Sequence, residues 1–478
     1  MSGILPLCID LDGTLIHSDM LHESSLRLLG ESPLSVLKIP FWLASGKAVL
    51  KRQLTNRLTF DPVALPYNEE LIAWLRQQRS AGRRLVLCTA SDQGVADAIA
   101  AHLDLFDEVI ASDGVVNLAG RHKSEALVAR YGEKGFDYAG NSVADLPVWE
   151  HARHAIVVNA SAGLQQEAEA CAEVEEVFEA PAKGLAVWRK ALRVHQWLKN
   201  LLLFVPLFAA HRVGEFDMWL TLGLAFIAFS LCASSVYIAN DLLDLESDRK
   251  HPRKCKRPFA AGVVPVWQGV VVAPLLLVAS LGLANFVGGA FLPWLAGYFL
   301  LTCLYSFKLK QVVLVDCLML GVLYTLRIVA GAAAVEMSLS FWLLAFSGFL
   351  FLSLAFVKRF AELQVQLLHG KHKAAGRGYF TDDAPLVQTL GIVAGYAAVL
   401  VLALYLNSAD VLRLYLAPEW IWGCVPVMLF WVSWVWLQAH RGQMHDDPLV
   451  FAVKDKPSLI SGAAFALFLA LGTVGWLP

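Results

Sequence analysis

The chain has 478 residues, of which 57% are hydrophobic and 17% charged, with a formal net charge of −2 and a mean hydropathy of +0.54. This composition is too apolar for an ordinary soluble protein and indicates a membrane protein of two or three domains. No basic surface is concentrated enough to compete for phosphates, so we expect no nucleic-acid partner. The eight cysteines form no Cys-x-x-Cys pair, which argues against a disulfide framework or a zinc site.

Residues 1–180 have the pattern of a soluble α/β domain. Short apolar runs with the length of buried parallel strands lie at 6–9, 85–88 and 155–158, and a helix is predicted over 68–79. The insert at about 18–66 is helical in pattern and has the size of a cap over a sheet. A boundary is predicted at 181–184. Since the N-terminus lacks a signal-peptide pattern, we expect this domain to stay in the cytosol.

Nine apolar runs follow residue 190. They lie at 200–213, 217–240, 266–286, 291–307, 312–334, 340–358, 387–406, 418–438 and 458–477. Each approaches the roughly 20 residues that a membrane-spanning helix needs, although the first is short. They predict an all-α bundle of nine transmembrane helices over residues 185–478.

The loops between these runs differ in charge. Lys and Arg concentrate before the first run and after the second, fourth, sixth and eighth, whereas the opposite loops at 287–293 and 335–338 lack positive charge. The positive-inside rule therefore places all the basic segments, and the N-terminal domain, on the cytosolic side. We expect a multi-pass protein of the inner (plasma) membrane.

An acidic run follows directly after the second apolar run. Its oxygen-bearing residues are Asn240, Asp241, Asp244 and Asp248. Asn240, Asp244 and Asp248 have i, i+4, i+8 spacing, which predicts one helix face. Clustered carboxylates at this depth need compensation, which Mg²⁺ supplies together with phosphate oxygens. The basic run that comes next includes Arg249, His251, Lys254, Lys256 and Arg257. Acids for a metal beside cations for phosphate favour a diphosphate site over a merely solvated loop.

The acidic run resembles the NDxxDxxxD motif of the UbiA superfamily of intramembrane prenyltransferases. More narrowly, the chain resembles the decaprenyl-phosphate phosphoribosyltransferases, which join a polyprenyl phosphate to phosphoribosyl diphosphate. The stretches that carry this resemblance are 193–200, 240–258, 305–310 with Asp316, 327–331, 358–363 and 442–448. A second DxxxD motif, usual in users of prenyl diphosphates, is missing, and only Asp316 stands in that region.

The resemblance implies a set of site residues. Asp241, Asp244 and Asp248 would act in catalysis and, with Asn240, hold Mg²⁺ on the diphosphate, while Lys199, Lys310 and Arg327 would bind the lipid phosphate. Further substrate-binding residues are Asn200, Arg249, Lys254, Arg257, Tyr305, Asp316, Lys358, Arg359 and Glu362.

Several of these residues have alternative interpretations. The mid-span Arg327 is expected to pair with Asp316 or with a phosphate, because an unpaired guanidinium is costly there. Lys358 and Arg359 could instead form a plain ion pair with Glu362. Asp446 and Asp447 are interpreted as loop residues outside the site.

The N-terminal domain opens with a second acidic pattern. Asp10-Leu11-Asp12-Gly13-Thr14 follows an apolar strand and resembles the first motif, DxDGT, of the haloacid dehalogenase superfamily. In that superfamily Asp10 would attack phosphorus and Asp12 would act as acid and then base.

Three further elements extend this resemblance. Thr89 and Lys123 match the second and third motifs, and Gly140-Asn141-Ser142-x-x-Asp145 resembles the fourth, GDxxxD. Asp10, Asp12, Asn141 and Asp145 would hold Mg²⁺. Asn141 replaces a common aspartate and brings no charge, so metal affinity should fall. The insert resembles the small helical caps of phosphoserine-phosphatase-like members.

Together these patterns predict an α/β haloacid dehalogenase domain fused to a UbiA-type bundle, with the first domain removing the 5-phosphate of the bundle's product. One alternative is an aromatic-acid polyprenyltransferase, of the 4-hydroxybenzoate type, with a regulatory N-terminal domain. A transporter or lipid-binding protein, or a phosphatase with a membrane anchor, are others. Prenyl chain length and oligomeric state stay open.

Overall fold

The computed structural model describes residues 5–181, 184–370, 372, 377–408, 411, 414–444 and 447–475. The chain divides into two compact units. The first joins Met1–Leu192 to Tyr237–Ala273, and the second joins Arg193–Val236 to Pro274–Pro478. The acidic run at 240–249 therefore belongs to the same unit as the N-terminal domain. Residues 182 and 183 of the predicted boundary lie outside the described residues.

A six-stranded parallel sheet forms the centre of the first unit. Its strands are β1 Leu7–Ile9, β2 Leu85–Asp92, β3 Glu108–Ser112, β4 Asp137–Gly140, β5 His154–Val158 and β6 Glu173–Phe178, in the order β3-β2-β1-β4-β5-β6. The predicted α/β sheet is confirmed. Since the strand order reverses at β1, the carboxyl ends of β1, β2 and β4 lie side by side, where α/β proteins place their ligands.

Helices cover both faces of the sheet and build the cap. They are α1 Met20–Glu31, α2 Ile39–Ala44, α3 Lys47–Thr55, α4 Glu69–Ser80, α5 Gln93–Leu103, α6 Arg121–Tyr131, α7 Leu146–Trp149, α8 Ala162–Cys171 and α9 Leu185–Ala191. The insert predicted as a helical cap contains α1, α2 and α3. The predicted helix over 68–79 is α4, which begins where the Asn68 side chain accepts a hydrogen bond from the Leu71 N–H.

Alternate residues of the central strands are buried on opposite faces of the sheet. Ile9 and Leu87 join one apolar cluster, whereas Cys8, Val86 and Cys88 join the other. Burial on both faces explains why these strands are continuous apolar runs instead of alternating ones.

Helices dominate the rest of the chain. They are α10 Val205–Ala209, α11 Phe216–Leu243, α12 Leu245–Arg249, α13 Val266–Val287, α14 Phe291–Phe307, α15 Val315–Ala334, α16 Phe341–Leu368, α17 Ala384–Leu406, α18 Cys424–His440, α19 Pro448–Ala452 and α20 Lys456–Val474. The predicted multi-pass helical architecture is confirmed.

Within the described residues, seven helices are long and apolar enough to cross a membrane. Of the two other predicted spans, α14 is a shorter apolar helix. The run at 200–213 instead forms the end of a 3-10 helix, Val194–Phe204, and then the five-residue α10. The count of nine spans therefore stays a prediction.

Small residues let the helices of the second unit approach closely. A Cβ atom on Gly331 of α15 would lie 2.0 Å from the carbonyl oxygen of Leu203. A Cβ on Gly391 of α17 would lie 2.1 Å from the Trp436 ring of α18. Close approach of this kind is how helices associate when lipid removes the hydrophobic driving force.

Replacing Gly331 with alanine should destabilise the second unit, because its methyl group would collide with backbone that has no room to move. We expect a loss of about 1–3 kcal/mol, measured as a lower thermal unfolding midpoint in detergent. Gly348→Ala in α16 is the matched control, since nothing lies within 4 Å of its added Cβ. Equal midpoints for the two variants would contradict this packing.

Candidate functional site

The acidic run lies at the end of α11 and continues into α12. Helical backbone hydrogen bonds continue across the break, from the Asp244 N–H to the Asn240 carbonyl and from the Asp248 N–H to the Asp244 carbonyl. Asn240 Nδ2 donates to Asp244 Oδ2 at 3.0 Å. The spacing therefore brings the side chains of Asn240 and Asp244 together at the helix end.

Arg257 joins the two buried acids of this cluster. Its Nη1 lies 3.0 Å from Asp241 Oδ1 and 2.5 Å from Asp248 Oδ2. The second oxygen of Asp248 is buried and accepts no hydrogen bond, and the nearby Lys254 Nζ is 3.7 Å from it. A buried carboxylate oxygen without a hydrogen bond, within a set made only of oxygen donors, fits a hard cation such as Mg²⁺.

Arg249 does not join this cluster through the contacts that the structure describes. Its guanidinium is bound by Glu23 of α1, at 2.5 and 2.8 Å, and by the Ala260 carbonyl at 2.9 Å. The described contacts of Arg249 are therefore with the cap and the Ala260 carbonyl, and its role in substrate binding stays a prediction.

In the second unit, Asp447 is the centre of a buried polar cluster. Lys199 Nζ lies 2.7 Å and Lys358 Nζ 3.7 Å from Asp447 Oδ2, and the Tyr324 hydroxyl donates to both carboxylate oxygens at 3.0 and 3.1 Å. Burial opposes ionisation, but the two lysines hold the pKa of Asp447 at about 2. Asp447, interpreted from the sequence as a loop residue outside the site, thus contacts two of the predicted substrate-binding lysines. Asp446 lies outside the described residues.

The sequence held one signal for Asp447. It precedes Pro448 at the start of α19, within the stretch at 442–448 that carries part of the resemblance, and its side chain accepts from the Leu449 N–H. The cap position explains the residue locally, whereas its partners Lys199 and Lys358 come from distant parts of the chain.

Arg327 is held by polar and aromatic partners on neighbouring helices. Its Nε donates to Asn200 Oδ1 and its Nη2 to the Tyr298 hydroxyl, both at 2.9 Å. Its guanidinium carbon lies 5.4 Å from the centre of the Phe229 ring. The predicted pairing with Asp316 was wrong, because 11 residues along α15 separate the two by roughly 16 Å.

Asp316 lies in a separate basic cluster. Arg359 Nη2 is 2.5 Å and Arg377 Nη1 3.5 Å from Asp316 Oδ2, and the Tyr379 hydroxyl donates to Asp316 Oδ1 at 2.6 Å. Two guanidinium groups thus neutralise this buried carboxylate, which lowers its ability to attract a metal ion.

Of the remaining predicted residues, Glu362 and Tyr305 contact the arginines of this cluster. Glu362 accepts from Arg359, as the ion-pair interpretation expects, and lies 3.4 Å from Arg377 Nε. The Tyr305 hydroxyl accepts from Arg377 at 3.2 Å. Lys358, by contrast, lies near Asp447. Lys310 is in the 3-10 helix Leu309–Gln311.

The sheet of the first unit carries a third site at the end of β1. Lys123 Nζ donates to Asp10 Oδ1 at 2.7 Å and to the Tyr138 hydroxyl at 2.8 Å. Burial raises the pKa of Asp10 to about 6, although Lys123 opposes this effect. Burial alone would lower the pKa of Lys123, but Asp10 and Asp145 reverse this effect and raise it.

The carboxyl group of Asp12 is a weaker acid than that of Asp10. Its carboxylate accepts from the Met20 N–H and from Ser91 Oγ, both at 2.8 Å. Burial, followed by the charges of Asp19 and Asp10, raises the pKa of Asp12 to about 7. Ser91, which the motif comparison missed, also donates its N–H to Thr89 Oγ1 at 3.0 Å.

Asp145 organises the loop after β4. Its Oδ2 accepts from the N–H groups of Asn141 and Ser142 and from Ser142 Oγ, while its Oδ1 accepts from the Tyr138 hydroxyl. Both oxygens of Asp145 thus accept hydrogen bonds, and its predicted role as a metal ligand stays a prediction. Asn141 lies against Gly13, where an added Cβ would be 2.0 Å from Asn141 Nδ2.

Comparison with known families assigns both parts of the chain. The UbiA prenyltransferase family matches residues 201–454, and the haloacid dehalogenase-like hydrolase family matches residues 7–150. Both families are Mg²⁺-dependent.

Individual proteins are similar to all or part of this chain. An uncharacterised protein from Sinorhizobium fredii is 40% identical and covers 97% of this chain and 90% of its own length. A decaprenyl-phosphate phosphoribosyltransferase from Mycolicibacterium smegmatis is 34% identical over 60% of this chain and 90% of its own. A UbiA homologue from Archaeoglobus fulgidus, solved with GPP and Mg²⁺, is 16% identical over 60% of this chain and 98% of its own, with a TM-score of 0.45. The chain therefore belongs to the UbiA prenyltransferase family and carries an N-terminal haloacid dehalogenase-like domain.

Proposed function

We propose that this protein transfers phosphoribose from phosphoribosyl diphosphate to a polyprenyl phosphate at the inner membrane, with Mg²⁺, releasing pyrophosphate. One observation carries the proposal. The chain holds a cation-fitting acid cluster at 240–248, whereas the acid of its other half, Asp316, is neutralised by Arg359 and Arg377. The names of the phosphoribosyltransferase relatives point to the same reaction.

The donor diphosphate is assigned to the acidic cluster. Asp241, Asp244 and Asp248, with Asn240, would hold Mg²⁺, which when bound neutralises negative charge on the leaving pyrophosphate. Arg257 keeps two of these acids together, and its half-buried guanidinium adds positive charge for a phosphate oxygen.

The lipid phosphate is assigned to cations of the second unit, Lys199, Lys310 and Arg327. Asp447 fixes the Lys199 ammonium, and Asn200 fixes the Arg327 guanidinium, so both cations are preorganised. A phosphate oxygen of the acceptor then attacks the anomeric carbon, and pyrophosphate leaves with the electron pair of the broken bond. Positioning and charge stabilisation suffice, without a covalent enzyme intermediate.

An aromatic-acid prenyltransferase fits these contacts less well. That reaction uses a prenyl diphosphate, and in enzymes of this type a second aspartate-rich motif commonly binds a second metal. Here Asp316 is already neutralised by Arg359 and Arg377 and accepts a hydrogen bond from Tyr379, so it is poorly suited to hold a second metal ion. A transporter fits less well too, because the acids cluster at a helix end instead of following a path.

The haloacid dehalogenase-like domain is proposed to act on the product. The 5-phosphate of polyprenyl-phosphoryl-5-phosphoribose is a phosphomonoester, the substrate class of this superfamily. Asp10, steadied by Lys123, would attack the phosphorus and form an aspartyl phosphate, while Asp12 would give a proton to the leaving oxygen. Asp12 would then take a proton from the water that attacks this phosphate, which releases inorganic phosphate and frees Asp10. Asn141 stands where an aspartate is common and brings no charge for a metal ion. The alternative to a phosphatase is therefore a domain kept as a regulatory scaffold.

The transfer reaction can be tested directly. Purified protein with Mg²⁺, labelled phosphoribosyl diphosphate and polyprenyl phosphate should give a lipid-extractable labelled sugar. Combined Asp241→Ala and Asp244→Ala should lower this rate by roughly 100-fold or more, because the donor site loses two carboxylates. Asp217→Asn, an exposed acid at the other end of α11, is the control. Full turnover in the double variant, or label passing only from a prenyl diphosphate to an aromatic acid, would reject the proposal.

Asp10→Asn in the full chain should separate the two reactions. We expect normal formation of the phosphorylated lipid but loss of inorganic phosphate release, because an amide cannot act as the nucleophile. Chromatography of the lipid product and a phosphate assay measure both steps. Asp97→Asn, exposed on α5, is the control. If wild type and Asp10→Asn release phosphate equally, the domain is not the phosphatase.

Asp447→Leu should destabilise the second unit by about 3–5 kcal/mol, because it leaves the buried Lys199 ammonium without its counter-charge. Adding Lys199→Met should recover most of that stability, since no buried charge is then left unpaired. Unfolding in detergent measures both effects. The double variant should still transfer poorly, because a cation for the lipid phosphate is missing. Wild-type transfer by a stable double variant would exclude Lys199 from the site.

A further inference from the structure

The segment at 245–262 begins within the acidic run and contains its last acid, Asp248. This segment packs against the cap of the N-terminal domain. Arg249 of this segment forms a two-pronged ion pair with Glu23 of α1, at 2.5 and 2.8 Å. Only 8% of the Arg249 side chain and 13% of the Glu23 side chain are exposed. Its burial and its two parallel hydrogen bonds distinguish this contact from exposed ion pairs, most of which contribute little to the stability of a protein.

Two further ion pairs flank this contact on the same surface. The cap supplies the cation in one pair and the acid in the other. Arg27 of the cap lies 3.0 Å from Glu246, so here the cap supplies the cation. Lys250 lies 2.9 Å from Asp61, so here the cap supplies the acid. Charges that alternate in this way fix one register of the segment on the cap, since a shift would place like charges together.

Gly262 forms the far end of the contact. Its φ is +71°, and an added Cβ would lie 2.6 Å from the Cβ of His17 and 2.9 Å from the His17 carbonyl oxygen. His17 belongs to the loop that begins at Asp12, and its N–H donates to the Pro66 carbonyl. The segment therefore contacts both the cap and the loop of the Asp10 site.

Arg249, the residue that binds the cap, is adjacent to the acidic cluster. Arg249 follows Asp248 directly in the sequence, and Asp248 is joined through Arg257 to Asp241. Anchoring Arg249 on Glu23 thus limits where the Asp248 carboxylate can lie. A short chain of contacts runs from the cap to the acids assigned to the donor diphosphate.

We propose that the cap is a docking surface for residues 245–262 of this same chain, and that Glu23, through Arg249, is a positioning residue for the acidic cluster. The N-terminal domain is then a structural part of the donor site, whatever its own activity. The effect on phosphoribosyl transfer rests on the proposed function, whereas the docking itself does not.

Hydrogen–deuterium exchange of the full chain tests the docking without any activity assay. Glu23→Lys should raise exchange within 245–262 by about tenfold, because the ion pair becomes a repulsion. Glu167→Lys, the same charge change on an exposed position of α8, should leave that exchange unchanged. Exchange within the strands β1–β6 reports whether the domain is still folded.

The charge swap Glu23→Arg with Arg249→Glu should return exchange to near the wild-type rate. Unchanged exchange at 245–262 in Glu23→Lys, or a rise that the swap does not reverse, would overturn the proposal. In the transfer assay, Glu23→Lys should raise the KM for phosphoribosyl diphosphate several-fold more than it lowers kcat. If wild type shows no phosphoribosyl transfer, the proposed function fails, and the exchange results still decide the docking.

Discussion

The guanidinium of Arg257 bridges two buried carboxylates, and much of the chemistry assigned to this chain depends on that contact. Asp241 and Asp248 are almost wholly buried, and two such acids repel each other unless positive charge lies between them. One guanidinium offsets part of this repulsion, and Asp248 keeps a buried oxygen without a hydrogen bond. The protein therefore holds the acids close together while leaving capacity for a further cation.

The same constraint explains the other polar clusters. Asp10 is accompanied by Lys123, Asp447 by Lys199, and Asp316 by Arg359. The clusters around these pairs differ in their net charge, and this difference decides which kind of ion each cluster could bind. Where cations balance the acids, as around Asp316 and Glu362, the cluster attracts a metal ion only weakly. Where acids outnumber cations, as around Arg257, it suits a metal ion.

Local patterns in the sequence predicted a large part of the structure. The strand before Asp10, the helical cap and the acidic run at the end of α11 all depend on neighbours a few residues away, which periodicity reveals. Pairings between distant segments were not accessible in this way. Asp447 gave no sign of its contact with Lys199, and Arg249 matched a substrate-binding pattern although Glu23 binds it. For Arg327 and Asp316, helix rise alone would have excluded the expected pair.

The first unit has an uncommon assembly order, because its two stretches are separated in the chain by part of the second unit. When the ribosome has finished Met1–Leu192, the face of the cap that carries Glu23 still lacks its partner. That partner is synthesised only after the whole of α11. Completion of the first unit must therefore wait until this long apolar helix has been made, so the soluble part of the chain cannot mature before it.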